Sequence, residues 1–284
     1  MLKFLKYQFV IRIISSELLI NWVNETKFLV TKGEFGLTGN LYCGFTEYKE
    51  MSFLLHFSNQ SDTFYDIGAN VGSYTILASG VNKAKSICFE PVPSTYKRLL
   101  DQIKINKLEH LVISKNNGVG KKFEELDFTS DLNSENKVNT NPSNTNITKV
   151  NMVTLDSLDE PKNTTIIKID VEGYEKFVLE GGINFFKNPY VIAIIIELNG
   201  NGSAFNVSDL EVHKMITSFD FKPIDYDPFK RKIILIDAYS DNGLFPNNFS
   251  NNIKKGNIIY VKILKMLKIE FWHLHHFGSK QQII

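Results

Sequence analysis

The chain has 284 residues, 43% hydrophobic and 12% aromatic, enough for one large core, and a formal net charge of +1. That balance removes any strong electrostatic drive toward nucleic acid. Two cysteines, Cys43 and Cys88, exclude a disulfide framework, and no uncharged run approaches membrane-spanning length.

In chain order, Leu2, Leu5, Phe9, Ile13 and Leu19 predict an amphipathic helix within residues 1–30. Alternation punctuated by Gly33, Gly36, Gly39 and Gly44 predicts hairpin strands over 28–45. Residues 47–57 read as a helix with Met51, Leu54 and Leu55 on one face. Strands and helices then alternate: strand 64–67, helix 73–80, strand 86–89, helix 94–106, strand 111–114. Residues 129–151 are rich in Asn, Ser and Thr and carry Pro142, the composition of a mobile polar insertion. Strand 165–169, helix 174–180 and strand 190–197 resume the pattern, and strands near 219–223, 232–238 and 257–262 complete it, the last two as an antiparallel pair.

Such alternation predicts an α/β fold, a mostly parallel sheet with helices on both faces. The expected organisation is an N-terminal helical and hairpin extension over 1–60, a core domain over 61–262 and a tail over 263–284. Nothing in residues 1–23 reads as a secretory signal, so the expected compartment is the cytoplasm. The tail's Lys262, Lys265, Lys268, Phe271 and Trp272 suit a packed terminal helix, or a weak peripheral contact with a membrane. His273, His275 and His276 have no standard ligand spacing, and no metal is expected. Nothing in the pattern specifies an oligomer.

The chemistry concentrates at two strand ends. Asp66-Ile-Gly-Ala-Asn-Val-Gly72 follows an apolar strand and opens a helix, the place where nucleotide-type ligands bind in open parallel sheets. A dinucleotide site reads G-x-G-x-x-G; here Asp66 replaces the first glycine. A carboxylate repels a pyrophosphate and favours a cationic ligand, so the spelling favours S-adenosylmethionine over NAD. Asp66, Gly68, Asn70 and Gly72 are the candidates for the methionine end. Glu90 ends the next strand, about 20 residues on, where an acid accepts from ribose hydroxyls. Asn117 and Gly118, after the third strand, either border an adenine or form a simple turn. The second end is Lys168-Ile-Asp-Val-Glu-Gly173: Asp170 and Glu172 are placed to orient or deprotonate a hydroxyl. Glu197 ends a further strand at the same rim, and Glu175 reads as a first-turn acid favoured by the helix dipole. Thr154-Leu155-Asp156 reads as a helix start.

With these motifs, the chain resembles the FkbM family of S-adenosylmethionine-dependent methyltransferases. The resemblance rests on the Asp66–Gly72 and Lys168–Gly173 motifs, Glu175, Phe89-Glu90-Pro91, Val153-Thr-Leu-Asp156 and Gly44-Phe-Thr-Glu47. It implies a Rossmann-like class I methyltransferase fold with a seven-stranded sheet, and methyl transfer to oxygen, with a saccharide or other hydroxylated small molecule as acceptor. The rival readings are an NAD-linked oxidoreductase and a catalytically silent binding module of the same fold.

Overall fold

The computed structural model describes residues 17–31, 37, 39–40, 43–130, 136–141, 143–236 and 256–263. Its centre is an eight-stranded sheet of order β12-β11-β13-β10-β9-β3-β4-β5. Strands β3 (Thr63–Ile67), β4 (Lys85–Phe89), β5 (Val112–Lys115), β9 (Thr165–Ile169) and β10 (Val191–Leu198) are parallel. Strands β11 (Lys222–Asp227), β12 (Lys232–Leu235) and β13 (Gly256–Val261) extend it antiparallel. The expected Rossmann-like architecture is present, with eight strands rather than seven. One pairing differs from expectation: β13 lodges between β10 and β11, and β12 pairs with β11. Among the described residues no helix is long and apolar enough to cross a membrane.

The two-residue period of a strand sorts the core into layers. Tyr65, Ile67, Ile167, Ile169, Ile194 and Ile196 meet Val178 and Leu179 of α4 (Glu175–Glu180), Phe185 and Phe186 of α5 (Ile183–Lys187) and Val212 of α6 (Asp209–Thr217). Their neighbours Phe64, Ile166 and Ile195 face the other way, onto Met51, Phe53 and Leu54 of α1 (Tyr48–Phe57) and Leu77 and Ala78. The latter pair lies in a π-helical stretch, Ile76–Val81, that continues α2 (Ser73–Thr75). By the same parity Asp66, Lys168 and Glu197 stand on the α1 and α2 side. A third cluster packs Cys88 and Val112 under Leu99 and Ile103 of α3 (Pro93–Ile105).

Three sequence readings need correction. Residues 17–30 are not helical: β1 (Leu18–Asn21) and β2 (Lys27–Val30) form an antiparallel hairpin, and Phe28 and Val30 are buried with period two. Asn24 and Glu25, both at positive φ (44° and 67°), make its turn. Residues 1–16 lie outside the described residues. The expected hairpin over 28–45 is also absent among them: β2 pairs back onto β1, and residues 37, 39, 40 and 43 are helical. The 129–151 region, expected as a loop, ends in a strand instead: its residues 147–151 belong to a small sheet. There β7 (Glu124–Thr129) pairs antiparallel with β8 (Ile147–Val153) from Glu124↔Met152 to Thr129↔Ile147, and β6 (Gly118–Val119) joins β8. Val138 bridges to Phe128, and Phe128, Val138, Val150 and Met152 bury a core of their own beside Tyr174. Residues 131–135 and 142, and the tail beyond 263 with its histidines, lie outside the described residues.

The hairpin is fastened to α3 by side chains. Leu29 donates its backbone N–H to Gln102 Oε1 (2.9 Å), and Gln102 Nε2 donates back to the Leu29 carbonyl (2.6 Å). Asn106, at the C-cap of α3, repeats the exchange with Lys27 (2.7 and 2.8 Å).

Candidate functional site

The loop after β3 is built for close approach. Gly68, Asn70 and Gly72 have φ of 80°, 50° and 90°, the left-handed region that glycine and asparagine enter most readily. A Cβ on Gly68 would lie 1.8 Å from the Asp170 carbonyl oxygen, so only glycine lets the β3 and β9 loops touch. Gly72 has a different duty: it lines neither cleft described below, and a Cβ there would meet Leu99 at 2.5 Å. Glu90 locks the loop from the next strand. Its Oε2 accepts from the Asn70 N–H and its Oε1 from the Val92 N–H, both at 2.9 Å. Burial pushes Glu90 up to about 7, against the pull of those two hydrogen bonds. Each oxygen keeps a lone pair for a further donor.

A first cleft opens over this loop. It brings together Gly68, Asn70, Glu90, Asn117, Gly118, Asp170 and Glu172, all singled out from the sequence. Its apolar walls are Phe89, Val119, Phe128, Met152 and Tyr174. Phe128 and Met152 come from the small sheet; they flank the 129–151 stretch read as a loop, and no sequence motif marked them. A Cβ on Gly118 would come within 2.4 Å of Met152 Sδ, which ties the glycine to this wall. Neither lysine nor arginine lines the cleft among the described residues.

A second cleft, with about 950 Å³ of empty space, shares Gly68, Asn70, Asp170 and Glu172 with the first and lies on the α1 side. Asp66 lines this second cleft and not the first; it is buried, accepts a 2.6 Å hydrogen bond from Thr75 Oγ1, and burial pushes it up to about 6. Lys168, only 2% exposed within an otherwise apolar strand, places its ammonium 2.8 Å from Asp170 Oδ2 and 4.0 Å from Glu47 Oε2, over the Tyr74 ring at 5.3 Å. Burial alone would pull the ammonium down; Asp170 and Glu47 outweigh it and hold it above the ordinary lysine range. Burial likewise raises Asp170, but Lys168 and a hydrogen bond to Glu197 outweigh it and keep Asp170 below its ordinary value. Glu197 is raised by burial and by the adjacent Asp170 charge. One oxygen each of Asp170, Glu172 and Glu197 lie within 4.8 Å of one another, a spacing that a cation can bridge.

The turn after β9 is equally constrained. Glu172 sits at φ 52° and accepts from Asn201 Nδ2 at 2.8 Å. Glu175 does more than face the helix dipole: its Oε1 accepts from the Gly173 N–H at 3.1 Å, closing the turn, and burial pushes it up to about 7. Asp156 caps a helix other than its own, accepting from the N–H groups of Asn184 (3.1 Å) and Phe185 (2.8 Å) at the start of α5. Sequence reasoning missed Glu47, Tyr74 and Lys168. Glu47 lies at the N-cap of α1 and accepts from the Tyr74 hydroxyl. Only the parity of Lys168 with Asp66 in neighbouring strands signals this face.

A family model described as the Methyltransferase FkbM domain matches residues 66–223. The chain is similar to the hexuronic acid methyltransferase AglP of Haloferax volcanii, with 29% identity over 160 residues, 55% of this chain and 64% of the relative. It thus spans less than two thirds of that relative's length. Among solved structures it is similar to an rRNA methylase from Streptococcus thermophilus (13% identity, TM-score 0.40, 74% of this chain and 91% of the other). It is also similar to the precorrin-6y C5,15-methyltransferase of Geobacter metallireducens (11% identity, TM-score 0.40, 76% and 86%).

Proposed function

This chain belongs to the FkbM methyltransferase family, and we propose that it is an S-adenosylmethionine-dependent O-methyltransferase acting on a saccharide hydroxyl. The observation that carries this reading is the first cleft: a tight glycine turn locked to a buried acid, opening directly onto Asp170 and Glu172. The residues present fit the donor. Glu90 retains acceptor capacity for ribose hydroxyls, and the absence of lysine and arginine from the described lining suits a ligand without phosphate.

When bound, S-adenosylmethionine supplies an electrophilic methyl group. Gly68 and Asn70 would hold its methionine end, with Asp66 contributing from behind the loop and Gly72 shaping the turn. Asn117 and Gly118 would border its adenine. Asp170 and Glu172, shared by both clefts, would orient the acceptor hydroxyl and take its proton. Alignment of the two reactants supplies much of the rate in such a transfer. The name of the archaeal relative supports a saccharide acceptor, and the polar lining of the second cleft agrees with it.

Calorimetric titration with S-adenosylhomocysteine and with NADH tests the donor. Binding of the first and not the second is expected; the reverse would replace the methyltransferase with the oxidoreductase reading. Label transfer from methyl-labelled donor to saccharides then separates an enzyme from a silent module.

A further inference from the structure

The second cleft is lined by more acids than cations. Glu47, Asp66, Asp170, Glu172 and Glu197 all line it. Five carboxylates therefore face one ammonium. Lys168 is the only lysine or arginine lining the cleft among the described residues. That ammonium is held within the wall, between Asp170 at 2.8 Å and Glu47 at 4.0 Å and over the Tyr74 ring. An anionic group entering here finds carboxylates in excess and a cation already engaged. A neutral hydroxylated ring finds acceptors for its O–H groups and Asn40, Thr46 and Ser73 besides.

Resting on the methyl-transfer reading above, we propose that the second cleft is the acceptor site and that Glu47 is its specificity-determining residue. The site takes the hydroxyl of an uncharged sugar and excludes a uronic acid. Exclusion works by unfavourable like-charge placement against the wrong substrate, not by extra contacts to the right one. One carboxylate in excess of the cations at the site, within contact range, disfavours an anion by about tenfold or more. Glu47 is suited to this duty because it arrives from α1, outside the strand ends that carry the donor loop, and so can set acceptor choice separately from donor binding.

The test measures kcat/KM for label transfer to matched pairs, p-nitrophenyl glucoside against glucuronide and galactoside against galacturonide, with S-adenosylhomocysteine binding measured in parallel. The neutral glycoside of at least one pair is expected to be favoured by about tenfold or more. Glu47→Gln should narrow that ratio several-fold. Its S-adenosylhomocysteine affinity reports that the variant is folded. Should the variant fail to fold, the wild-type ratio measured at low and high salt replaces it, because screening must shrink a discrimination made by charge. Equal or better use of the uronides, no transfer to any neutral glycoside despite donor binding, or a ratio untouched by both Glu47→Gln and salt would each overturn the proposal. Failure to bind S-adenosylhomocysteine would instead overturn the donor reading on which it rests.

Discussion

Replacing Lys168 with methionine tests the electrostatics of the rim. The side chain is 2% exposed and Asp170 is 28% exposed, so the pair is buried on one side and half-buried on the other. Methionine fills similar volume but leaves Asp170 without its cation and Glu47 without its neighbour. Breaking a buried pair from one side costs about 3–5 kcal/mol, and the partial exposure of Asp170 places this case near about 3 kcal/mol. The pH dependence follows with a definite sign. In the wild type Asp170 is held below its ordinary value, so its stabilisation is present above the unfolded pKa and lost as pH falls through the folded one. In the variant burial is opposed only by the hydrogen bond to Glu197, the carboxyl rises, and protonation relieves the cost. The penalty should therefore be largest at pH 8 and shrink by about 1 kcal/mol or more at pH 5. Urea unfolding of both proteins at the two pH values, followed by tryptophan fluorescence, measures it. A penalty under about 1 kcal/mol at pH 8, or one that grows on acidification, would refute the assignment of Lys168 as the counter-ion of Asp170.

Gly68→Ala should cost about 3 kcal/mol, from the positive φ and the collision with the Asp170 carbonyl, and lower the melting temperature accordingly; an unchanged melt would show that the two loops are free to part. Glu90 is pushed up to about 7, so S-adenosylhomocysteine affinity should rise between pH 6 and 8 as the carboxylate forms, while the unliganded protein loses stability as pH climbs from 4.5 toward 7. Calorimetry on wild type and Glu90→Gln checks this, the variant being expected to lose the slope. Asp170→Ala and Glu172→Ala should each lower turnover by about 100-fold, with a smaller loss of S-adenosylhomocysteine affinity. Equal losses of both would assign the residue to donor binding rather than to the transfer step.

The parallel core was legible because its strands are short apolar runs that end in chemistry: Phe64–Ile67 before Gly68, Thr165–Ile169 before Asp170. The small sheet was not, because the Asn, Ser and Thr of residues 129–151 obscured the spacing of Val150 and Met152 that buries β8. The hairpin at 18–30 lost to a helical periodicity drawn mainly from residues 1–16, outside the described ones. At the site, the local motifs named seven of the residues that line the first cleft. The second cleft was legible in part: Asp66, Gly68, Asn70, Asp170, Glu172 and Glu197 were named at strand ends, whereas Glu47 and Lys168 join them only in space. Glu47 and Lys168 lie 121 positions apart, and a lysine inside an apolar strand gives no local sign of the acids it will face.

The pairing of β2 with α3 has a consequence for how the chain keeps to itself. Four helical residues rise about 6 Å, and two residues of a strand about 6.6 Å. Gln102 and Asn106, four apart, can therefore match Leu29 and Lys27, two apart, and each amide both gives and takes a proton as a peptide group would. The helix counterfeits a third strand. An edge that would otherwise offer open backbone groups to any passing chain is already answered. Replacing Gln102 by leucine would cost little apolar packing but would reopen that edge to self-association.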